Sequence, residues 1–155
     1  MDAGSRHPPP LIGALLRIPW ESVHERLLAG LRERGYTDLG AAHLSVLQWP
    51  GPDGLRPSEL AAQSRMSKQA LNYLLGQLER LGYLERRDDP RDQRFKRIAL
   101  TERGRRAAQA MRDIVREVEG EWEQHLGPER FADLRLLLAD LNAHVADGRA
   151  QTPTR

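Results

Sequence analysis

The stretch SKQALNYLLGQLERLG, residues 67–82, decides the architecture. Leu71, Leu74, Leu75 and Leu78 recur at the spacing of one helical face, Ser67 is a strong N-cap, and Gly82 is a natural C-terminal stop. Lys68, Gln69, Asn72 and Tyr73 fall on the other side of the same helix. Upstream, Pro57 suits the first turn of a shorter helix with Leu60 and Ala61 inward. Downstream the period changes from helical to alternating. Tyr83–Arg87 and Phe95–Leu100 predict two short strands around the turn-forming Asp88-Asp89-Pro90-Arg91-Asp92-Gln93, with Ile98 and Leu100 on one face.

Further out the chain is helical on both sides. Leu11, Ile12, Leu15, Leu16, Val23, Leu27, Leu28 and Leu31 predict a first helix that Pro19 should kink or restart near Ile18 and that Gly35 ends. A second helix is expected from Gly40 to Trp49 with Leu44 and Leu47 inward, before a Pro- and Gly-rich loop at Pro50–Gly54. Thr101-Glu102 open a long helix with Ala107, Met111, Ile114, Val118, Trp122 and His125 near heptad spacing. Gly127-Pro128 break it. A last helix follows, with Phe131, Leu134, Leu137, Leu138, Leu141 and Val145 expected inward. The expected organisation is a flexible arm over 1–10, an N-terminal helical segment over 11–35, a central domain over 36–101, C-terminal helices over 102–147 and a flexible tail over 148–155. The fold class is mainly α with a small β-hairpin wing.

Composition narrows the chemistry. The 155 residues include 24 Lys and Arg against 22 Asp and Glu, with no Cys, so disulfides, zinc–thiolate sites and cysteine nucleophiles are excluded. No apolar run approaches the ~20 residues that span a bilayer, and no signal-peptide layout is present, so a cytoplasmic protein without membrane partners is expected. The net charge of +2 is unevenly spread: −1 over residues 1–64, +6 over 65–106 and −3 over 107–155. A basic centre between neutral and acidic flanks suits a local anionic partner.

A short helix, a tight turn, a longer helix and a hairpin follow one another as in a winged helix-turn-helix. A helix fits the DNA major groove and offers its N-terminal residues to base edges, while a neighbouring hairpin reaches backbone or minor groove. The hairpin here holds Arg86, Arg87, Arg91, Arg94, Lys96 and Arg97, so the basic segment coincides with the docking geometry. Double-stranded DNA is therefore the expected partner.

In these residues the chain resembles the MarR family of bacterial transcription regulators. The resemblance rests on Pro57-Ser58-Glu59-Leu60-Ala61, Ser67-Lys68-Gln69-Ala70-Leu71, Leu78–Arg86, Asp89-Pro90-Arg91-Asp92-Gln93-Arg94 and Leu100-Thr101-Glu102-Arg103-Gly104, in that order. It implies a homodimer with interlocked terminal helices, the segments 11–35 and 102–147, around a DNA-binding domain at 36–101. It implies a repressor at pseudo-palindromic promoter DNA, commonly released by a small molecule, here a small aromatic or acidic ligand. By position, the helix from Ser67 is the recognition helix, with Lys68, Gln69, Asn72 and Tyr73 facing DNA. Arg94 is the wing arginine of the minor groove, with Asp92 holding its tip and Arg91 beside it. The chain departs from the family in three places: Ser64-Arg65 stand where Leu and Gly are usual, Arg56 stands where Ser or Thr commonly caps, and Tyr73 replaces a common Arg or other polar residue. Arg65 either adds a phosphate contact or marks a looser turn.

Other readings accompany these. Gln69 and Asn72 suit bidentate bonds to adenine but are also ordinary exposed helix residues. Trp20, His24, His43 and Trp49 either line an effector pocket or simply pack in the core or a dimer contact. His7, His125 and His144 have no dense ligand spacing, so no metal site is expected, nor any cofactor. With no Cys, and no GxxxxGK[ST] or GxGxxG sequence, no catalytic residue set stands out and the protein is expected not to be an enzyme. The rival function is a winged-helix protein-interaction module in which DNA binding is incidental.

Overall fold

The computed structural model describes residues 10–51 and 53–150. The expected arm at 1–10 lies outside these residues apart from Pro10, as do residues 151–155 of the expected tail. The elements are α1 (Ile12–Glu33), α2 (Ala41–Leu47), α3 (Pro57–Ser64), α4 (Lys68–Arg80), β1 (Leu84–Asp89), β2 (Asp92–Leu100), α5 (Glu102–Leu126) and α6 (Pro128–Ala150). The order is the expected one. The chain forms two compact units, Met1–Val115 and Arg116–Arg155, and the division falls inside α5 rather than before it. The reason is packing: Ala107, Ala108, Met111 and Ile114 of α5 belong to the same core as Leu27 and Leu31 of α1 and the leucines of α4.

In the first unit α4 is the central element. Its Leu71, Leu74, Leu75 and Leu78 are all buried and pack with Leu44 and Leu47 of α2, Leu60 of α3, and Leu84 and Ile98 of the hairpin. Each fully buried leucine contributes about 1.5–3 kcal/mol, so this one face outweighs any single polar contact nearby. Ser67 Oγ accepts the Ala70 amide at 3.2 Å, capping α4, and Gly82 closes the helix at φ +76°.

Several details differ from the sequence expectation. Helix α1 runs unbroken from Ile12 to Glu33 with Pro19 inside it. A proline removes one amide donor, and the other hydrogen bonds of a 22-residue helix carry the chain past it. The strands are longer than the alternation suggested, and only Pro90 and Arg91 separate them. Ile98, Ala99 and Leu100 are all buried. Leu55, the residue after the expected loop, adds a bridge to Ile98 at the sheet edge, donating and accepting at 2.9 and 2.7 Å. The last helix continues to Ala150, into the stretch expected as tail.

The start of α5 explains the Leu-Thr-x-x-Gly pattern. Thr101 Oγ1 accepts the Gly104 amide at 3.0 Å and donates to the Gly82 carbonyl at 2.6 Å, fastening the start of α5 to the end of α4. A Cβ on Gly104 would sit 2.0 Å from the Tyr83 carbonyl oxygen, so the two backbones approach only because that side chain is absent. Nearby, buried Tyr83 donates to Asp38 Oδ1 at 2.5 Å, and Arg103 reaches Asp38 Oδ2 at 2.8 Å. Burial and then this hydrogen bond push the Tyr83 phenol well above its ordinary value. Burial alone would raise Asp38, but the Tyr83 hydroxyl and the Arg103 charge outweigh it and hold the carboxyl low.

In the second unit Val118 and Phe131 are buried, and Arg135 bonds Glu119 at 2.9 Å between α5 and α6. The inward face expected on α6 is not buried within the chain: Leu134, Leu137, Leu141 and Val145 are exposed and Leu138 is half-buried. Trp122 is half-buried and His125 exposed.

Gly104→Ala should destabilise the first unit by about 1–3 kcal/mol, because overpacking against a backbone carbonyl outweighs the ~1 kcal/mol that alanine adds to helix propensity. Urea unfolding measures this, and an unchanged midpoint would mean the α5–Tyr83 approach is not fixed.

Candidate nucleic-acid interface

Helices α3 and α4 are joined by Arg65, Met66 and Ser67 alone. Arg65 stands in the left-handed region at φ 56°, ψ 29°, the position that glycine usually fills at a helix end. A non-glycine residue there is strained, so the turn is held by what it connects: buried Leu60 on α3 and buried Leu71 on α4. The Arg65 side chain is exposed. Lys68, Gln69 and Asn72 are exposed on α4, and Tyr73 is 65% exposed despite its aromatic ring. The leucine face turns these four positions outward together, at the N-terminal half of the helix. Ser67 is exposed as the cap.

The hairpin is antiparallel, with Leu84 opposite Leu100 and Arg87 opposite Arg97. Pro90 cannot take the positive φ of the tight turns that match strand twist, so the ladder accommodates the turn by a register irregularity between Asp88 and Asp89. Asp89 then does what the turn cannot. Its carboxylate is 1% exposed, Oδ1 accepts the Arg91 amide at 2.9 Å, and Oδ2 accepts Arg56 Nε at 2.7 Å. Arg56 is the residue before α3, and its guanidinium also lies 4.7 Å from the Phe95 ring centroid on β2. The Arg56 amide in turn donates to Glu59 at 2.7 Å, the half of a capping box that N3 supplies, while the Arg56 side chain has no acceptor for the helix amides. Arg56 therefore replaces the usual cap with a tie between helix-turn-helix and wing.

At the wing tip Arg94 is 85% exposed by side chain, and its Nη2 meets Asp92 Oδ2 at 2.7 Å. The Asp92 Oδ1 also accepts the Arg94 amide at 3.1 Å, so one carboxylate fixes both backbone and guanidinium. Hydrogen bonds from the Arg94 side chain and then its amide hold the Asp92 carboxyl below the ordinary range. Arg91 is exposed beside them. The other hairpin cations are partly offset: Arg86 pairs with Glu79 at 2.7 Å, Arg87 pairs with Glu85, and Lys96 pairs with Asp88. The strand charges are thus largely balanced locally, while the Arg94 side chain stands 85% exposed at the tip.

Of the four aromatic and histidine positions expected at a pocket, two are on α1 and two are on α2 or just after it. Trp20 and His24 stack on α1 at 4.6 Å between ring centroids, with Trp20 62% exposed. His43 on α2 bonds Gln77 of α4 at 2.9 Å, and Trp49 follows α2 and is 39% exposed. A cavity of about 700 Å³ lies elsewhere, between Pro50-Gly51 and the side of α5 that carries Glu102, Arg105, Arg106 and Arg112. None of the four expected residues lines it. The sequence reading passed over Asp89, Arg56 and Gln77. For Asp89 the signal was present, since an Asp two residues before an amide it can cap is an Asx-turn pattern. Nothing local pointed to the Arg56–Asp89 and His43–Gln77 pairs, whose members lie 33 and 34 residues apart. Among the described residues no cluster of three or more His, Asp or Glu could hold a metal ion, and no helix is long and apolar enough to cross a membrane.

The Arg91 amide and then the Arg56 side chain hold the Asp89 carboxyl below its ordinary value of 3.8. A lowered folded value stabilises the protein in full above about pH 3.8 and is lost as pH falls through the folded value. The stability difference between the wild type and Asp89→Asn should therefore be constant at neutral pH and shrink below about pH 3.8. Acid titration of thermal unfolding in both proteins tests this; a difference that persists to strongly acid pH would show that the carboxylate charge is not what ties the wing.

Residues 37–94 match a family model described as MarR family. The uncharacterized HTH-type transcriptional regulator YkoM of Bacillus subtilis is 29% identical over 85 residues, 55% of this chain and 54% of its own length, so the likeness spans about half of that relative. Among solved structures, CouR from Rhodococcus jostii RHA1, determined bound to p-coumaroyl-CoA, is 26% identical with a TM-score of 0.68, covering 88% of this chain and 95% of its own. The reduced form of MarR from E. coli has a TM-score of 0.71 at 23% identity, over 87% and 98% of the two chains, a likeness of fold alone. The family consists of DNA-binding transcription regulators rather than enzymes. Residues 37–94 thus match the MarR family as a winged helix-turn-helix, in a chain whose fold is like that of MarR.

Proposed function

We propose that the chain is a homodimeric repressor that reads a pseudo-palindromic promoter site, with α4 in the major groove and the β1–β2 wing on the flanking backbone and minor groove. The observation that carries this reading is the pairing of two exposed features. Lys68, Gln69, Asn72 and Tyr73 stand together on one face of α4, and Arg94 stands at the tip of a wing tied by Asp89 and Arg56 to the start of α3. Ser67, Arg65 and Arg91 are placed to bond phosphates around them, and Asp92 orients Arg94.

Apolar exposure supports the dimer. Leu136 and Leu137 of α6 are 69% and 68% exposed, and Ile12, Ile18 and Trp20 of α1 are each 62% exposed or more. Two helices with such faces gain most by meeting a second copy, and a two-fold pair matches an inverted repeat with half-sites about one DNA turn apart. A small aromatic or acidic effector that releases the DNA is part of the proposal. CouR supports it as a relative bound to an acyl-CoA. The arginine-rich cavity beside α5 offers guanidinium donors to an acidic ligand, while Trp20, His24, His43 and Trp49 stand as separate candidates for the aromatic part.

Selection from a random duplex pool, followed by titration of the selected duplex against scrambled DNA at two salt concentrations, tests the reading. An inverted repeat with a clear affinity margin supports it; no motif and only weak, salt-labile binding would favour the protein-interaction module. In the same assay Arg94→Ala should weaken binding and lower the slope of log affinity against log salt by about 0.9 for each phosphate that the variant no longer neutralises. Sedimentation that returns a stable monomer at micromolar concentration would defeat the dimer.

A further inference from the structure

We propose that His43 and Gln77 set the polarity of the Tyr73 hydroxyl, so that Tyr73 reads hydrogen-bond acceptors on the DNA. The inference rests on the DNA-binding reading above and names a specificity determinant within it. Three hydrogen bonds run in series from α2 to the exposed face of α4. The Gly40 amide, at the N-terminal end of α2, donates to His43 Nδ1 at 3.1 Å. His43 Nε2 meets Gln77 Oε1 at 2.9 Å, and Gln77 Nε2 donates to the Tyr73 hydroxyl oxygen at 2.9 Å.

The direction of this chain follows from its first link. A backbone N–H can only donate, so His43 Nδ1 must accept and the ring proton of the neutral imidazole lies on Nε2. The Nε2–H then requires an acceptor, which turns the Gln77 carbonyl oxygen toward α2 and its NH2 group toward Tyr73. The hydroxyl oxygen accepts that NH2, and its own proton is left to point along the exposed side of the ring. Tyr73 is 65% exposed, so this proton faces solvent or a bound duplex. Tyr73 is thereby offered as a donor. In the major groove the groups it suits are guanine O6 and N7, adenine N7 and thymine O4, whereas the cytosine N4 amino group opposes it. His43 and Gln77 are positioning residues: they lie behind the reading group and act through it.

The test uses the full-length protein and the duplex selected by the wild type. The base position read by Tyr73 is located as the one whose preference is lost in Tyr73→Phe, and thymine is then compared with cytosine there. The wild type should prefer thymine by about fivefold, the size of one net hydrogen bond. Gln77→Glu supplies an acceptor to the hydroxyl, turns its proton inward and leaves a lone pair outward, so the preference should reverse toward cytosine. General repulsion of DNA by the new carboxylate cancels in the ratio. His43→Ala frees the Gln77 amide to turn over and should flatten the preference when Tyr73 is present, while changing nothing in the Tyr73→Phe background. Circular dichroism confirms that each variant is folded.

A Gln77→Glu protein that keeps the wild-type preference would overturn the proposal. So would a His43→Ala effect that is equal with and without the hydroxyl, or a Tyr73→Phe protein with no altered base position. If the wild type selects no motif at all, the DNA-binding reading fails and takes this inference with it; a selected motif with an unchanged preference overturns this inference alone.

Discussion

The wing of this protein has no core of its own: outside Leu84, Ile98, Ala99 and Leu100 the hairpin is charged except at Pro90, Gln93 and Phe95, and its tip has only two loop residues, one of them proline. What holds it in one orientation is the Asp89 carboxylate, which bonds the turn through the Arg91 amide and the helix-turn-helix through Arg56. Burying a carboxylate is unfavourable unless it is paired and hydrogen-bonded, and Asp89 is both. A pair of this kind contributes more to uniqueness than to stability. It selects one disposition of the hairpin beside α3, and the distance between Arg94 and the exposed face of α4 follows from that choice.

Helix α4 is built with two incompatible sides. Leucines on one side fix its rotation in the core, so the opposite residues have no freedom to turn away from solvent. That constraint makes a tyrosine tolerable at an exposed position. Its ring is oriented by a hydrogen bond within its own helix, from Gln77, and through Gln77 by His43 on the neighbouring helix. The departures from the common family pattern therefore have local physical accounts. Arg56 exchanges a cap for a tie to the wing, and Glu59 accepts its amide. Arg65 occupies a backbone conformation that glycine adopts more easily, held by the packing of the helices on either side. Tyr73 is the exposed end of a hydrogen-bond series that starts at half-buried Gly40 and His43.

Legibility varied with the range of the interaction that sets each feature. Ser67, the four leucines and Gly82 specify α4 by themselves, because a cap, a periodic face and a stop are local quantities. Leu-Thr-x-x-Gly was readable as a pattern, although its cause is a contact between Gly104 and the Tyr83 carbonyl that no spacing displays. Pro19 is expected to kink or restart α1, and the helix does not restart: it runs from Ile12 to Glu33 with the proline inside. The α6 face was misjudged for a different reason. Periodicity says which residues share a side, not whether the same chain covers it, and here Leu134, Leu137, Leu141 and Val145 remain exposed.

The sequence by itself determined the element order, the outward position of Lys68, Gln69, Asn72 and Tyr73, and the coincidence of the basic segment with the wing, since each follows from neighbours within a few turns. Only the tertiary structure decided that Asp89 joins Arg56, that His43 serves α4 through Gln77, and that the cavity beside α5 is lined by arginines rather than by the aromatic residues of α1 and α2. Those are pairings across 33 residues or more, and a chain specifies them through the packing of its helices, not through any local pattern of residues.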